Sequence, residues 1–214
     1  MNCCGHCADA GELFDWTKAE EELCDYRRDG LSKSSAELLV GGLRSLALEG
    51  RRLLDIGGGV GTIPFELSDE GIAEATLVEA SAPYLEVARA EAGRRALAEW
   101  LTCREGDVCE MADDLDSFDV VTLDRAICCY PHMERLVEVT TDLADEYYGV
   151  VYPRENLFSK SIEKLADVYC RLKGMDFRLY IHEGIDETIR ECGFEPFYDV
   201  TTWLWRVTLY EASR

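Results

Sequence analysis

The sequence predicts a doubly wound α/β fold on a mainly parallel, seven-stranded sheet. Three observations carry this reading. Short apolar segments alternate with helix-length amphipathic ones, a glycine-rich turn follows the first strong apolar segment, and the last two apolar segments are separated by only a short turn. Strands joined through helices of about ten or more residues need right-handed crossovers, which cover a parallel sheet on both faces.

The elements follow in order. Asp15 to Arg28 and Ser34 to Leu48 read as helices, the second opened by a Ser cap and carrying Leu38, Leu39, Leu43 and Leu46 on one side. Arg52 to Ile56 is the first strand, and Ile63 to Gly71 a helix with a glycine stop. A strand at Ala75 to Glu79, a helix from Pro83 to about Trp100, an extended piece at Leu101 to Gly106 and an apolar strand at Phe118 to Leu123 complete a βαβαβ run. A helix from about Met133 to Asp145 leads to a fifth strand, Tyr148 to Tyr152, bounded by Pro153. Glu155 to Gly174 reads as an inserted amphipathic helix and Ile185 to Cys192 as the next layer helix, stopped by Gly193. Phe194 to Thr201 and Trp203 to Tyr210 close the sheet as an antiparallel pair. No Pro/Gly linker divides the chain, so residues 1–49 are expected to form a helical extension or cap. Residues 50–214 then form the core, with a helical insertion at about 154–180.

Composition narrows the function. With 43 Asp+Glu against 22 Lys+Arg the net charge is −21, and only five of the basic residues are Lys. Such a surface repels phosphate backbones and anionic membranes, so nucleic acid and membrane are excluded as general partners and a small-molecule substrate is expected. A carboxylate-rich surface of this kind also suits concentrated salt. No apolar run approaches the ~18 residues of a membrane span, and Met1 to Gly11 lacks the basic region and apolar core of an export signal, so a cytoplasmic location is expected. In that reducing compartment the ten Cys read as free thiols, metal ligands or a reactive site rather than as disulfides.

The run Leu53-Leu54-Asp55-Ile56-Gly57-Gly58-Gly59-Val60-Gly61 sits at a strand end before a helix, where absent Cβ atoms let a nucleotide-like ligand lie against the turn. A dinucleotide fingerprint asks for glycine at the sixth position counted from Gly57; here that position is Thr62, and glycine falls at the fifth, Gly61. Pyrophosphate binding, and with it a nicotinamide oxidoreductase, is therefore disfavoured. An acid ahead of the turn and glycine at alternate positions resemble the first motif of class I S-adenosylmethionine-dependent methyltransferases. Glu79, ending the second strand, extends the resemblance, because a carboxylate there can accept from both ribose hydroxyls. So do Gly106-Asp107-Val108 after the third strand, Phe118 to Asp124 at the fourth, and the closing segment Ile189 to Tyr210.

The resemblance covers roughly residues 50–152 and 183–210, and its specificity lies in the order of these elements at the correct strand ends. It implies a Rossmann-like sheet with a reversed C-terminal strand, S-adenosylmethionine as cofactor and methyl transfer as the reaction. The cofactor residues it implies are Asp55, Gly57, Gly59, Gly61, Glu79, Ala80, Asp107, Val108 and Asp124, with Asp107 accepting from the adenine amino group and Val108 against the ring. A non-catalytic nucleotide-binding protein that senses metal or redox state through its thiols is the alternative from another class.

Asp124-Arg125-Ala126-Ile127-Cys128-Cys129-Tyr130-Pro131-His132 follows the strand that in such enzymes meets the methyl group. Similar Asp-Arg-x-x-Cys-Cys-Tyr-Pro segments occur in a subgroup of the superfamily, some members of which resemble magnesium-protoporphyrin O-methyltransferases, a likeness that leaves the acceptor open. Arg125, Tyr130 and His132 are the candidate catalytic residues, and Cys128 and Cys129 candidate substrate contacts; the competing reading packs the two thiols as small hydrophobes. Tyr26 and Arg27, ending the first helix, could touch cofactor or substrate, or simply cap a solvated helix end. Cys3-Cys4-Gly5-His6-Cys7 offers C-x-x-C spacing for a metal or metalloid, yet a tetrahedral site would need a further ligand such as Cys24, and an inert terminus is the rival; no metal is assigned.

Overall fold

The computed structural model describes residues 14–31, 34–154 and 178–213. Within them the strands are β1 (Arg52–Ile56), β2 (Glu74–Glu79), β3 (Leu101–Glu105), β4 (Phe118–Asp124), β5 (Ala144–Pro153), β6 (Phe194–Thr201) and β7 (Trp205–Ala212). They form one seven-stranded sheet in the order β3-β2-β1-β4-β5-β7-β6. Each neighbouring pair from β3 to β5 is parallel, and β7 runs antiparallel to both β5 and β6, so β7 is the reversed strand.

The described helices are α1 (Trp16–Asp29), α2 (Ser34–Leu43), α3 (Thr62–Leu67), α4 (Ala82–Arg94), α5 (Val108–Met111), α6 (Met133–Asp142) and α7 (Ile185–Glu191). Because side chains alternate along a strand, the adjacent and fully buried Leu53 and Leu54 enter different cores. Leu53 joins α1 to α4, through residues such as Leu23, Leu39, Phe65 and Leu85, and Leu54 joins α6 and α7, through Leu136, Val137 and Ile189. The sheet is thus covered on both faces.

Helix ends depart from expectation where tertiary contacts intervene. α2 stops at Leu43, not Leu48: Gly41-Gly42 weakens the helix, and the Ser45 backbone N and hydroxyl both donate to the Gly42 carbonyl, at 3.1 and 2.6 Å. A Cβ on Gly42 would meet Leu209 Cδ1 at 2.7 Å, so this glycine lets the helix lie close on β7. α4 ends at Arg94, not Trp100, and the chain turns through Ala96 (φ 61°) so that the Trp100 indole N–H donates to the Ile72 carbonyl at 2.9 Å. α3 is likewise shorter than expected, ending at Leu67. β5 starts at Ala144, taking residues expected to end the preceding helix, and reaches Pro153 in register with β4 and β7. The expected Ser cap of the second helix, the inserted helix 155–174 and the Cys3 to Cys7 cluster lie outside the described residues and side chains. Among the described residues no helix is long and apolar enough to cross a membrane.

Candidate functional site

The carboxyl ends of β1, β2 and β4 open into a cleft of about 380 Å³. Its floor is the turn after β1. Gly57 (φ 63°), whose backbone N donates to the Val78 carbonyl at 2.8 Å, can have no side chain, because a Cβ would stand 2.8 Å from that of Ala126. A Cβ on Gly58 would run into the Asp55 carboxylate. The absence of side chains on this turn is therefore what fits it between Asp55 of β1 and Ala126 beyond β4.

Asp55 lies beneath the turn, fully buried; Thr122 Oγ1 donates to its Oδ1 at 2.7 Å, and its Oδ2 has no partner. Burial, aided by the nearby Asp124 and Glu79 charges and opposed by the Thr122 bond, pushes its carboxyl up to about 7. Glu79, at the end of β2, accepts from Gly59 N at 3.1 Å and Ser81 N at 2.9 Å, which aims its carboxylate across the cleft wall. Burial raises its pKa, and those backbone bonds oppose the rise. Asp107 caps α5, a helix the sequence did not announce: its Oδ1 accepts from Cys109 N at 2.9 Å, and the Tyr130 hydroxyl donates to its Oδ2 at 3.0 Å. Asp124 holds the Arg125 guanidinium at 3.0 and 2.7 Å through Nε and Nη2.

Arg125 sits at φ 60°, an uncommon backbone for a side chain with a Cβ. That bend turns the chain into the 3₁₀ turn Ile127–Cys129, where Arg125's carbonyl accepts from Cys128 Sγ at 3.0 Å and lies 3.7 Å from Cys129 Sγ. The two sulfur atoms are 4.0 Å apart; Cys128 is buried, Cys129 half-buried, and both line the cleft. The pair splits its acidity: the hydrogen bond between the thiols lowers the pKa of Cys129 and raises that of Cys128. Burial, with Cys109 and Asp107 alongside, pushes Tyr130 above the ordinary phenol range, so its hydroxyl stays protonated.

Gly57, Gly59, Glu79, Ala80, Asp107, Val108, Asp124, Arg125, Cys128, Cys129 and Tyr130 thus meet around one cleft, with Asp55 just below and Gly61 opening α3 behind it. His132 does not join them: it precedes α6 with its side chain exposed. Tyr26 is buried, donating its hydroxyl to Glu66 at 3.0 Å, and Arg27 pairs with the buried Glu91 of α4; neither lines the cleft. The structure adds residues the sequence reading passed over. Gly58 belongs to the turn, Glu22 of α1 and Tyr84 of α4 meet through a 3.4 Å bond, and Leu179 and Trp205 also line the cleft. His182 stands half-buried behind Tyr130, with Nε2 2.8 Å from its carbonyl. Only Gly58 had a local signal, its place within the glycine run.

The sheet order, the reversed β7 and a ligand-sized cleft over the carboxyl strand ends define the class I methyltransferase fold. Residues 53–145 match a family described as a methyltransferase domain. The ubiquinone/menaquinone biosynthesis C-methyltransferase UbiE of Ruegeria sp. (strain TM1040) is 32% identical over 129 residues, which cover 56% of this chain and 49% of that protein. The chain therefore spans about half the length of the curated relative it matches. Among solved structures, magnesium protoporphyrin IX methyltransferase (ChlM) from Synechocystis PCC 6803 with bound SAH superposes with a TM-score of 0.64 at 16% identity, covering 95% of this chain and 85% of that one. The CcbJ methyltransferase from Streptomyces caelestis gives a TM-score of 0.64 at 17% identity, covering 84% and 90%. The chain thus shares the fold of these methyltransferases, and its residues 53–145 resemble a methyltransferase domain.

Proposed function

We propose that this protein transfers a methyl group from S-adenosylmethionine to a small-molecule acceptor. The observation that carries the reading is the charge of the cleft. Glu22, Glu79, Asp107 and Asp124 line it, and among the described residues its one cationic side chain, Arg125, is already held by Asp124. A pyrophosphate placed there would meet like charges, each pair worth about 4 kcal/mol at 4 Å for an effective dielectric near 20. A nucleoside bearing a sulfonium and an ammonium meets opposite ones. The side-chain-free turn fits such a ligand as well.

In this reading Glu79 accepts from the ribose hydroxyls, Ala80 lies beside it, Asp107 accepts from the adenine amino group, and Val108 packs on the ring. Gly57, Gly59 and Gly61, with Asp55 beneath, shape the turn for the methionyl portion, and Asp124 faces the sulfonium end. When bound, the cofactor supplies a methyl group already activated by positive charge. The chain then has to align the acceptor and exclude water. Residues 1–49 act as the cap, residues 50–214 as the core with its insertion at about 154–180. On the acceptor side Arg125 and Tyr130 orient the substrate, Tyr130 as a donor because its phenol stays protonated, while Cys128, Cys129, Leu179 and Trp205 enclose an apolar face. No histidine of the described residues lines the cleft and His132 is exposed ahead of α6, so the proposal gives His132 no part in catalysis.

Calorimetry tests this. S-adenosylmethionine should bind and NAD should not compete, and Glu79→Ala should weaken binding about tenfold to a hundredfold, the range for hydrogen bonds to a charged acceptor. Tight NAD binding, or full S-adenosylmethionine affinity in the folded variant, overturns the assignment.

A further inference from the structure

We propose that Cys128 and Cys129 form a two-thiolate binding site for a soft, thiophilic centre of the trivalent-arsenical class, within the acceptor half of the cleft. Three observations support it. First, the sulfur atoms stand 4.0 Å apart; two thiolates about 2.3 Å from one pyramidal trivalent centre are separated by about 3.5 Å, so closing on a shared atom asks for about half an ångström from the side chains. Second, the turn holding them is fixed. The Cys129 backbone N donates to the Ala126 carbonyl at 3.0 Å, and Tyr180 N donates to the Cys128 carbonyl at 2.7 Å, so the turn that brings both residues to the cleft lining is held by backbone bonds on either side. Third, the chemistry of the set selects the ligand. Among the described residues no group of three Cys, His, Asp or Glu side chains could hold a metal ion, which disfavours zinc with its three or four protein ligands. Two thiolates do satisfy a centre that carries a substituent of its own and prefers sulfur over oxygen.

The hydrogen bond that acidifies Cys129 eases loss of the first proton. With an organoarsenic oxide the step balances without any oxidant: the arsenic–oxygen bond and two S–H bonds break, two arsenic–sulfur bonds form, and the oxygen leaves as water with both protons. The S–H bonds to the Arg125 carbonyl are given up in the process.

Phenylarsine oxide is the probe, read by intact-protein mass spectrometry. Cys3, Cys4 and Cys7 are replaced by Ser throughout, so that the N-terminal thiols cannot answer for the site. In that background we expect one phenylarsenic adduct per chain with loss of one water, stable to a monothiol and removed by ethanedithiol. Cys129→Ser and Cys128→Ser should each lower the apparent affinity at least a hundredfold, because one thiol cannot chelate, while Cys109→Ser leaves it unchanged. Should the buried Cys128→Ser fail to fold, the half-buried Cys129→Ser decides alone. An adduct that survives Cys129→Ser, or its absence from the folded parent, overturns the proposal. Since the readout needs no cofactor, either result leaves methyl transfer to be judged separately by calorimetry.

Discussion

Glu91 and Asp55 are both fully buried carboxyls, but Glu91 meets the guanidinium groups of Arg27, Arg94 and Arg95, whereas Asp55 meets one threonine hydroxyl and leaves an oxygen without a partner. The consequences run in opposite directions. Hydrogen bonds from Arg94, Arg27 and Arg95 hold Glu91 well below the ordinary carboxylate range against its burial, while burial carries Asp55 up to about 7. Glu91 ties α1 to α4, and its partners keep part of their surface in water, so the cluster stabilises the cap side at modest desolvation cost. Asp55 has no such compensation, and it lies under the turn that a ligand would cover. An incompletely satisfied buried acid beside a glycine cradle marks a place built to bind rather than to hold the fold.

The largest effect that sharpens this contrast is in the pH dependence of stability. A carboxyl raised to about 7 when folded, against about 3.9 unfolded, keeps its proton in the native state where the unfolded chain has lost it. Its contribution is complete below pH ~4 and disappears as pH rises to about 7, a change on the order of 4 kcal/mol. Asp55→Asn cannot ionise. Its stability relative to the parent protein should therefore climb by up to that amount between pH 4 and 9, measured by urea unfolding at several pH values. A flat difference would show that Asp55 is not held neutral.

Glu91→Gln should act the other way and more weakly. The amide accepts fewer charge-assisted bonds and leaves three guanidinium groups facing one another, a loss of about 2–3 kcal/mol, or roughly 5–10 °C in melting temperature. Because the native pKa is depressed, this loss should hold from pH 8 down to about 4.5 and shrink only in more acid solution, as the parent carboxylate gains its proton. Affinity for S-adenosylmethionine should hardly change, since Glu91 lies away from the cleft. A large affinity loss would mean that the α1–α4 tie positions the site, and the contrast between the two acids would weaken.

The same contrast explains what could be read from sequence. β1 and β6 occupy the expected residues because glycine or a tight turn bounds each short apolar run. The acids at strand ends, Asp55, Glu79, Asp107 and Asp124, were legible as a group because a parallel sheet brings those ends to one edge whatever the helices do. Helix ends were less so, since Gly42 against Leu209 and Trp100 against Ile72 are contacts between distant segments. Glu22, Tyr84 and Trp205 reach the cleft from α1, α4 and β7 with no local pattern to announce them. His132 follows Tyr130 closely in sequence yet faces outward, because the chain enters α6 there and turns its ring to solvent.

The smallest expected effect concerns Tyr26, which the sequence offered as a ligand contact and the structure buries on the Glu91 side of the molecule. Its hydroxyl donates to Glu66, burial pushes its pKa up to about 12, and the Arg95 guanidinium lies 5.1 Å from its ring centre, between this ring and that of Phe65. Tyr26→Phe removes one hydrogen bond and keeps the ring on Arg95. Glu66 retains Arg44, at 3.1 Å, so it is not left unpaired. The expected loss is about 1 kcal/mol of stability, with cofactor affinity and the kinetics of methyl transfer unchanged within twofold. If KM for the acceptor instead rose severalfold at constant melting temperature, the end of α1 would have to approach the cleft during turnover. The cap would then contact substrate, and the division between a structural and a binding face would fail at this residue.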